Sequence, residues 1–392
     1  MSEIHKHTCP AFFLDATIDP VGSYSPCTAL GGSAFKFGEQ SFKVTWLSTE
    51  LENVRQRSQD GEQLSFCQRC WSEEKLEFTS ERNYLIADVP EGLDYTEKNY
   101  YSAGPRHLNI KVSNICNLRC RTCQSKDSYL YHIEGEYYEK KYNLKNTAYT
   151  MEKIKKHFTD AQLDELYEFS SNLERIELYG GEPFLDDQIP KFLIRLVESG
   201  RSKNIDFSVS TNATHELTDT WRKILNGFKN VMINISIDGI GQQFTYMRHP
   251  GNWNLAEKNI NEFFNLEYSA ERNNITVQPV ITVSALNILS LPDIFDYFKK
   301  YPQVEPFIIM VQMPKYYCVN VLPESVRPEV EQILKSYNNP KFTPLINLLN
   351  TPRYDKWENF KFWTNAKDEY REENFINTFP RLGQLLLKHN EW

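Results

Sequence analysis

The sequence predicts an α/β fold: a partial (β/α)6 barrel with an N-terminal cysteine-containing extension and a C-terminal helical region. Two observations predict the barrel. From His107 onward, short runs rich in β-branched and apolar residues alternate with stretches of helical periodicity. Six such runs fall between residues 107 and 311, separated by helices, the pattern of a parallel sheet built from right-handed βαβ units. Roughly 200 residues for six units suit an incomplete barrel, with an open doubly wound sheet as the structural alternative.

The elements run in order along the chain. Leu108-Asn-Ile-Lys-Val112 is a strand that leads straight into a cysteine-rich loop. Thr159-Asp-Ala-Gln162 is a capping-box start, after which Leu163, Leu166, Tyr167 and Phe169 repeat at helical spacing. Strand Arg175–Tyr179, helix Ile189–Glu198 and strand Ile205–Val209 come next. A helix around Trp221–Phe228 leads to strand Val231–Ile237, and a helix around Leu255–Leu266 to strand Ile275–Val283. A helix around Ile294–Lys300 and strand Pro306–Val311 complete the series. Beyond Val321 the tail reads as helical over Pro323–Ser336, Pro344–Leu349 and Glu373–His389, with Trp357, Phe360, Phe362 and Trp363 interleaved among Lys and Asp. It is expected to cap one end of the barrel, or to form a lid facing a substrate. Gly104-Pro105 punctuates the chain ahead of the barrel. The expected domains are therefore 1–100, 101–315 and 316–392.

Composition narrows the function classes. Of 392 residues, 40% are hydrophobic, 24% charged and 14% aromatic, which supplies a large core for a folded protein. The net charge of −8 predicts no general attraction to nucleic acid or to an anionic membrane. The start of the chain, Met1-Ser-Glu-Ile-His-Lys-His-Thr-Cys9, lacks the apolar run of a signal peptide, and no stretch reaches the ~18 apolar residues of a membrane span. Eight cysteines in such a chain point to metal or redox duty in the cytoplasm rather than to disulfides.

Three of those cysteines are the most informative feature. Cys116, Cys120 and Cys123 read C-x3-C-x2-C, with no fourth cysteine nearby. Soft thiolates select iron–sulfur clusters or zinc, and a four-iron cubane normally takes four of them. Three leave one iron without a protein ligand, and an open coordination position is where a metal site does chemistry. A zinc knuckle or three unrelated core thiols are the alternatives. The pattern resembles the radical SAM superfamily. That resemblance implies a barrel fold and a 4Fe–4S cluster whose free iron is chelated by S-adenosylmethionine (SAM).

The strand ends extend the resemblance. Tyr179-Gly-Gly-Glu-Pro183 follows the second predicted strand: Gly180 and Gly181 permit close backbone approach, and Glu182 is an acceptor for a cationic amino group. It resembles the family motif that contacts the amino group of SAM. Ser210 and Asn212, then Ser236 and Asp238, end the next two strands and resemble the ribose and methionine contacts. Arg248 resembles an arginine that binds the SAM carboxylate, a task suited to a guanidinium. Caps, turns and a solvated arginine are the plainer readings of these residues. One departure stands out: Thr122 occupies the position before the third cysteine, where the family often has an aromatic residue. Asn287 is a candidate to cover the adenine side.

Upstream, Cys9, Cys27, Cys67 and Cys70 form a second set. They resemble the auxiliary cluster regions of SPASM and twitch type, although those usually follow the barrel. Four thiolates would close a second 4Fe–4S cluster and leave no open iron, which suits electron relay or structural support; a structural zinc is the alternative. Cys318, beyond the last predicted strand, is a substrate-side thiol or a buried core residue.

The resemblance as a whole implies an enzyme of oxidoreductase or transferase type. It would reductively cleave SAM to a 5′-deoxyadenosyl radical and abstract hydrogen from a substrate. A peptide or protein is the favoured substrate class, a nucleotide or nucleic-acid base the alternative. An external one-electron donor such as a flavodoxin or ferredoxin is the expected partner. A non-catalytic metal scaffold is the reading from another class.

Overall fold

The computed structural model describes residues 8–28, 35–36, 41–75, 79–144, 155–269, 274–301, 304–351 and 356–392. Residues 1–7, where no signal peptide is expected, lie outside them. The strands in chain order are β1 (Asp15–Ile18), β2 (Ser23–Ser25), β3 (Phe35–Lys36), β4 (His107–Lys111), β5 (Arg175–Tyr179), β6 (Asp206–Thr211), β7 (Asn230–Ser236), β8 (Ile275–Val283) and β9 (Phe307–Met310). β4 to β9 are the six expected strands, and helices separate each from the next, so the chain has the α/β architecture of a partial barrel. Among the described residues no helix is long and apolar enough to cross a membrane.

The chain divides into two compact units. The first holds residues 1–113, 156–209 and 217–231. Here β4 and β5 pair in parallel, with Leu108 opposite Ile176 and Ile110 opposite Leu178, all four buried. β5 pairs in parallel with β6. Helix Ile189–Glu198 buries Ile189, Phe192, Leu193 and Leu196, a stripe at i, i+3, i+4 and i+7, with Pro190 fitting its first turn. Helix Asp160–Phe169 starts at Thr159 with a full capping box to Gln162, as its sequence predicts.

The N-terminal segment was not expected to join the sheet, yet it does. β1 pairs in parallel with β4, and β2 and β3 extend it antiparallel. A buried polar anchor holds it. The Arg55 guanidinium, on helix Thr49–Gln59, lies over the Trp46 and Tyr101 rings at 4.8 and 4.4 Å. Its Nε donates to Phe12 O at 2.9 Å, and Trp46 Nε1 donates to Tyr101 O at 2.8 Å.

The second unit holds residues 114–155, 210–216 and 232–392. β8 and β9 pair in parallel, and β8 alternates buried and more exposed residues along its length, as a period-2 strand should. Two helices of this unit, Tyr131–Tyr142 and Trp357–Arg371, pack on one another. They meet through aromatic rings, Tyr138 against Trp363 and Tyr370 at 5.7 and 6.0 Å between centroids. They also share a fully buried ion pair: Arg371 Nε and Nη2 donate to Glu134 at 2.8 and 3.0 Å. Burial pushes the Glu134 carboxyl up, but Arg371, together with Lys367 and Arg119, holds the group below its ordinary range.

Replacing Arg55 with Met should leave Phe12 O without its donor in a buried site. The expected cost is roughly 1–3 kcal/mol of stability, read from urea unfolding of the full chain. An unchanged midpoint would mean that this guanidinium does not hold the N-terminal segment.

Candidate functional site

The loop that carries the three sulfurs is neither helix nor strand, so its backbone groups need other partners. The second unit supplies them one by one. The N–H groups of Arg119 and Arg121 donate to His249 O and Met247 O at 2.6 and 2.8 Å, a two-rung ladder with the segment carrying Arg248. Among the loop carbonyls, Leu118 O accepts from Ser128 Oγ at 2.7 Å and Cys120 O from the Tyr131 hydroxyl. Arg119 O accepts from Arg371 Nη2 at 2.8 Å, and Arg121 O from Lys367 Nζ at 2.9 Å. The Arg121 side chain is itself fully buried. It is paired with Asp368 and Glu373 and lies 3.4 Å from the Tyr246 ring centroid. None of these partners was legible as a site residue in the sequence.

The sulfurs have donors as well. Leu118 N lies 3.4 Å from Cys116 Sγ, Asn212 Nδ2 3.9 Å from the same atom, and Arg248 Nη1 3.9 Å from Cys120 Sγ. Burial pushes the Cys120 thiol up and Arg248 opposes it; burial likewise raises Cys123. A metal must therefore displace protons to bind here, as thiolate ligation requires. Soft sulfurs with N–H and guanidinium groups directed at them fit an iron–sulfur cluster.

The strand-end residues of this unit form one network with that loop. Asn212 Nδ2 donates to Asn117 Oδ1 at 3.0 Å, and Asn117 Nδ2 donates to Thr214 Oγ1 at 2.8 Å. Asp238 is buried. It pairs with Arg248 at 2.8 Å and accepts from Thr282 N at 2.9 Å. Burial pushes its carboxyl up, with Arg248 opposing. Asn287 does not face open space: its amide donates to Asp238 O at 2.9 Å and its Oδ1 accepts from Ser284. The structure therefore brings together Cys116, Cys120, Cys123, Asn212, Asp238 and Arg248. Ser210 and Ser236 are half-buried at the ends of β6 and β7. Cys318 is buried, with its thiol 3.1 Å from Val311 O.

The first unit contains the glycine turn. Val112 N donates to Tyr179 O at 2.8 Å, continuing the β4–β5 ladder up to it. Gly180 has φ +82°, and a Cβ there would meet Lys111 Cγ at 2.5 Å, so only glycine fits. Glu182 is fully buried and its Oε1 accepts from Phe184 N at 3.2 Å, capping the turn Pro183–Leu185.

The four upstream cysteines lie in this unit too. Cys9, Cys27, Cys67 and Cys70 line one cavity together with Phe12 and Trp71. Cys9 N donates to Ser58 Oγ at 3.1 Å, on the same helix as Arg55. Burial and then Cys27 push the Cys9 thiol well up, and burial pushes Cys67 up to about 12. Arg82, paired with Glu74, stacks over the Trp71 ring at 4.4 Å and also lines the cavity. All eight cysteines are free, and among the described residues no three His, Cys, Asp or Glu side chains stand close enough to hold one metal ion.

Comparison with known proteins finds relatives over part of the chain. Residues 110–291 match the model of the Radical SAM superfamily. Over 245 residues the chain is 23% identical to a probable GTP 3′,8-cyclase of Methanococcus aeolicus, covering 60% of this chain and 72% of that protein. It is 24% identical over 191 residues to a GTP 3′,8-cyclase of Campylobacter lari, covering 47% of this chain and 50% of that protein. Among solved structures it resembles native anSMEcpe with bound AdoMet and Cp18Cys peptide, at 20% identity and a TM-score of 0.41, covering 62% of this chain and 60% of that one. The chain thus spans half of the Campylobacter cyclase and three fifths of anSMEcpe. The match to the Radical SAM model spans residues 110–291, just under half of the chain, and with the enzyme relatives it marks the chain as an enzyme carrying a domain similar to that superfamily's.

Removing the Asp238 carboxylate as Asp238→Ala should leave Arg248 buried without its partner, at a cost of roughly 3–5 kcal/mol. The double variant Asp238→Ala/Arg248→Met should recover most of that loss in thermal or urea unfolding. Additive losses would mean that the two side chains do not act as a pair.

Proposed function

We propose that this enzyme cleaves SAM at a 4Fe–4S cluster held by Cys116, Cys120 and Cys123 and uses the resulting radical to take hydrogen from a peptide or protein. The observation that carries the reading is the three-thiol loop with Arg248 directed at the Cys120 sulfur and braced by buried Asp238. When bound, the cluster and SAM supply the one-electron C–S cleavage that no side chain can perform.

The chain's own residues bind, orient and exclude water. Asp238 fixes the Arg248 guanidinium, leaving it suited to a carboxylate such as that of SAM. Asn212, joined to Asn117, and the strand-end hydroxyls of Ser210 and Ser236 offer polar contacts for a ribose. In the first unit, the carbonyls of Gly180 and Gly181 and the Glu182 carboxylate offer acceptors for an amino group. The reading keeps residues 101–315 as core and 316–392 as a helical cap, with an external flavodoxin- or ferredoxin-like donor in the cytoplasm.

Within 1–100, Cys9, Cys27, Cys67 and Cys70 would enclose a second 4Fe–4S cluster, SPASM- or twitch-like in role. Their lining of a single cavity supports this, and structural zinc is the rival occupant. The auxiliary set favours a peptide or protein substrate, because it resembles that of peptide-modifying relatives. The net charge of −8 disfavours nucleic acid. A nucleotide is the second reading, favoured by the two GTP 3′,8-cyclase relatives.

Anaerobic reconstitution tests the reading. Wild-type protein should bind about eight irons, and replacing Cys116, Cys120 and Cys123 with Ala should leave about four and abolish 5′-deoxyadenosine formation. SAM cleavage by that triple variant would refute the assignment. Zinc with about four irons in the wild type would replace the second cluster by a structural ion. Glu182→Ala and Asp238→Ala should each weaken SAM binding roughly tenfold to a hundredfold without changing iron content, as read by calorimetric titration. Unaltered affinity in both would remove the strand-end contacts from the account.

A further inference from the structure

Helix Trp357–Arg371 turns an unusual face toward the cysteine loop. Thr364, Lys367, Asp368 and Arg371, at i, i+3, i+4 and i+7, all bond to residues 119–121 of that loop. Lys367 and Arg371 reach the carbonyls of Arg121 and Arg119, which flank Cys120 in sequence. Both side chains are buried. On this face Arg371 is matched by Glu134, while Arg121 is matched by Asp368 and Glu373. Lys367 brings an amine to the same loop, with its Nζ 5.1 Å from the Tyr317 ring centroid.

The potential of a bound cluster depends on its net charge, on donors near its sulfurs and on burial. A one-electron reduced cluster carries one more negative charge than the oxidised form. A buried cation close to its ligand loop therefore favours the reduced state. We propose that Lys367 is a positioning residue that holds the cysteine loop through Arg121 O and raises the reduction potential of the cluster bound there. This inference rests on the proposed cluster assignment. Burial, followed by Arg371 and joined by Arg121, pushes the Lys367 amine well below its ordinary range, while Glu134 and the Cys123 sulfur favour its charge. Loading the loop with thiolate-bound iron strengthens the second influence.

The test uses full-length, anaerobically reconstituted protein and three variants: Lys367→Gln, which keeps a donor without the charge, Lys367→Met, which loses both, and Lys367→Arg, which keeps both. The signal that responds to added SAM is followed by EPR during a potentiometric titration with dithionite and mediators. Gln and Met should move the midpoint to more negative potential with iron content unchanged, and Arg should stay near the wild type. If the Met variant does not fold, Gln against Arg decides. Equal midpoints for Gln, Arg and wild type would overturn the inference while leaving the SAM assignment standing. A wild-type protein without any SAM-responsive signal would overturn the assignment itself, and the inference with it.

Discussion

The structure around Cys116, Cys120 and Cys123 depends on one constraint: a partly buried irregular loop must find partners for its backbone groups without a helix or strand ladder of its own. Here four consecutive carbonyls, from Leu118 to Arg121, end on four side chains from two helices and the adjoining turn. The N–H groups of residues 119 and 121 pair with residues 249 and 247. That arrangement fixes the sulfurs and brings Arg248 to Cys120. It also explains why so many charges are buried in this unit. Arg121, Arg371 and Glu134 are costly to bury singly, but each is held in a matched set.

The N-terminal cysteines use a different device. Their cavity is built on a short segment anchored by Arg55 and by Ser58, one helical turn apart on a single helix, and that segment continues into β1 beside β4. The region is thus joined to the sheet of the first unit rather than appended to it. The extra strands of this segment, β2 and β3, add antiparallel beyond β1.

Much of this was legible in the sequence wherever burial was apolar. Arg175–Tyr179, Ile189–Glu198 and Ile275–Val283 have the bounds that their periodicity predicts. The loop itself was singled out from its cysteine spacing, Cys116, Cys120 and Cys123. What periodicity could not reveal was the polar burial. Helix Trp357–Arg371 turns Thr364, Lys367 and Arg371 inward, and helix Tyr131–Tyr142 buries Glu134, so neither shows the apolar stripe that marks a core helix. The expected helix over Glu373–His389 is two, Phe375–Thr378 and Pro380–Lys388, because Pro380 has no N–H to continue the first and instead begins the second. β1 to β3, of four, three and two residues, are too short for a pattern to declare itself. Asp238 and Arg248 were each singled out, but only the structure reveals them as partners.

The Cys116 loop, on this account, holds a cluster with one iron open to SAM. Mössbauer spectroscopy of iron-57-reconstituted protein tests that most directly, because it resolves individual iron sites. Adding SAM should change the parameters of one iron in the cluster bound by Cys116, Cys120 and Cys123, leaving the other three and any N-terminal cluster as they were. A spectrum indifferent to SAM would contradict the account.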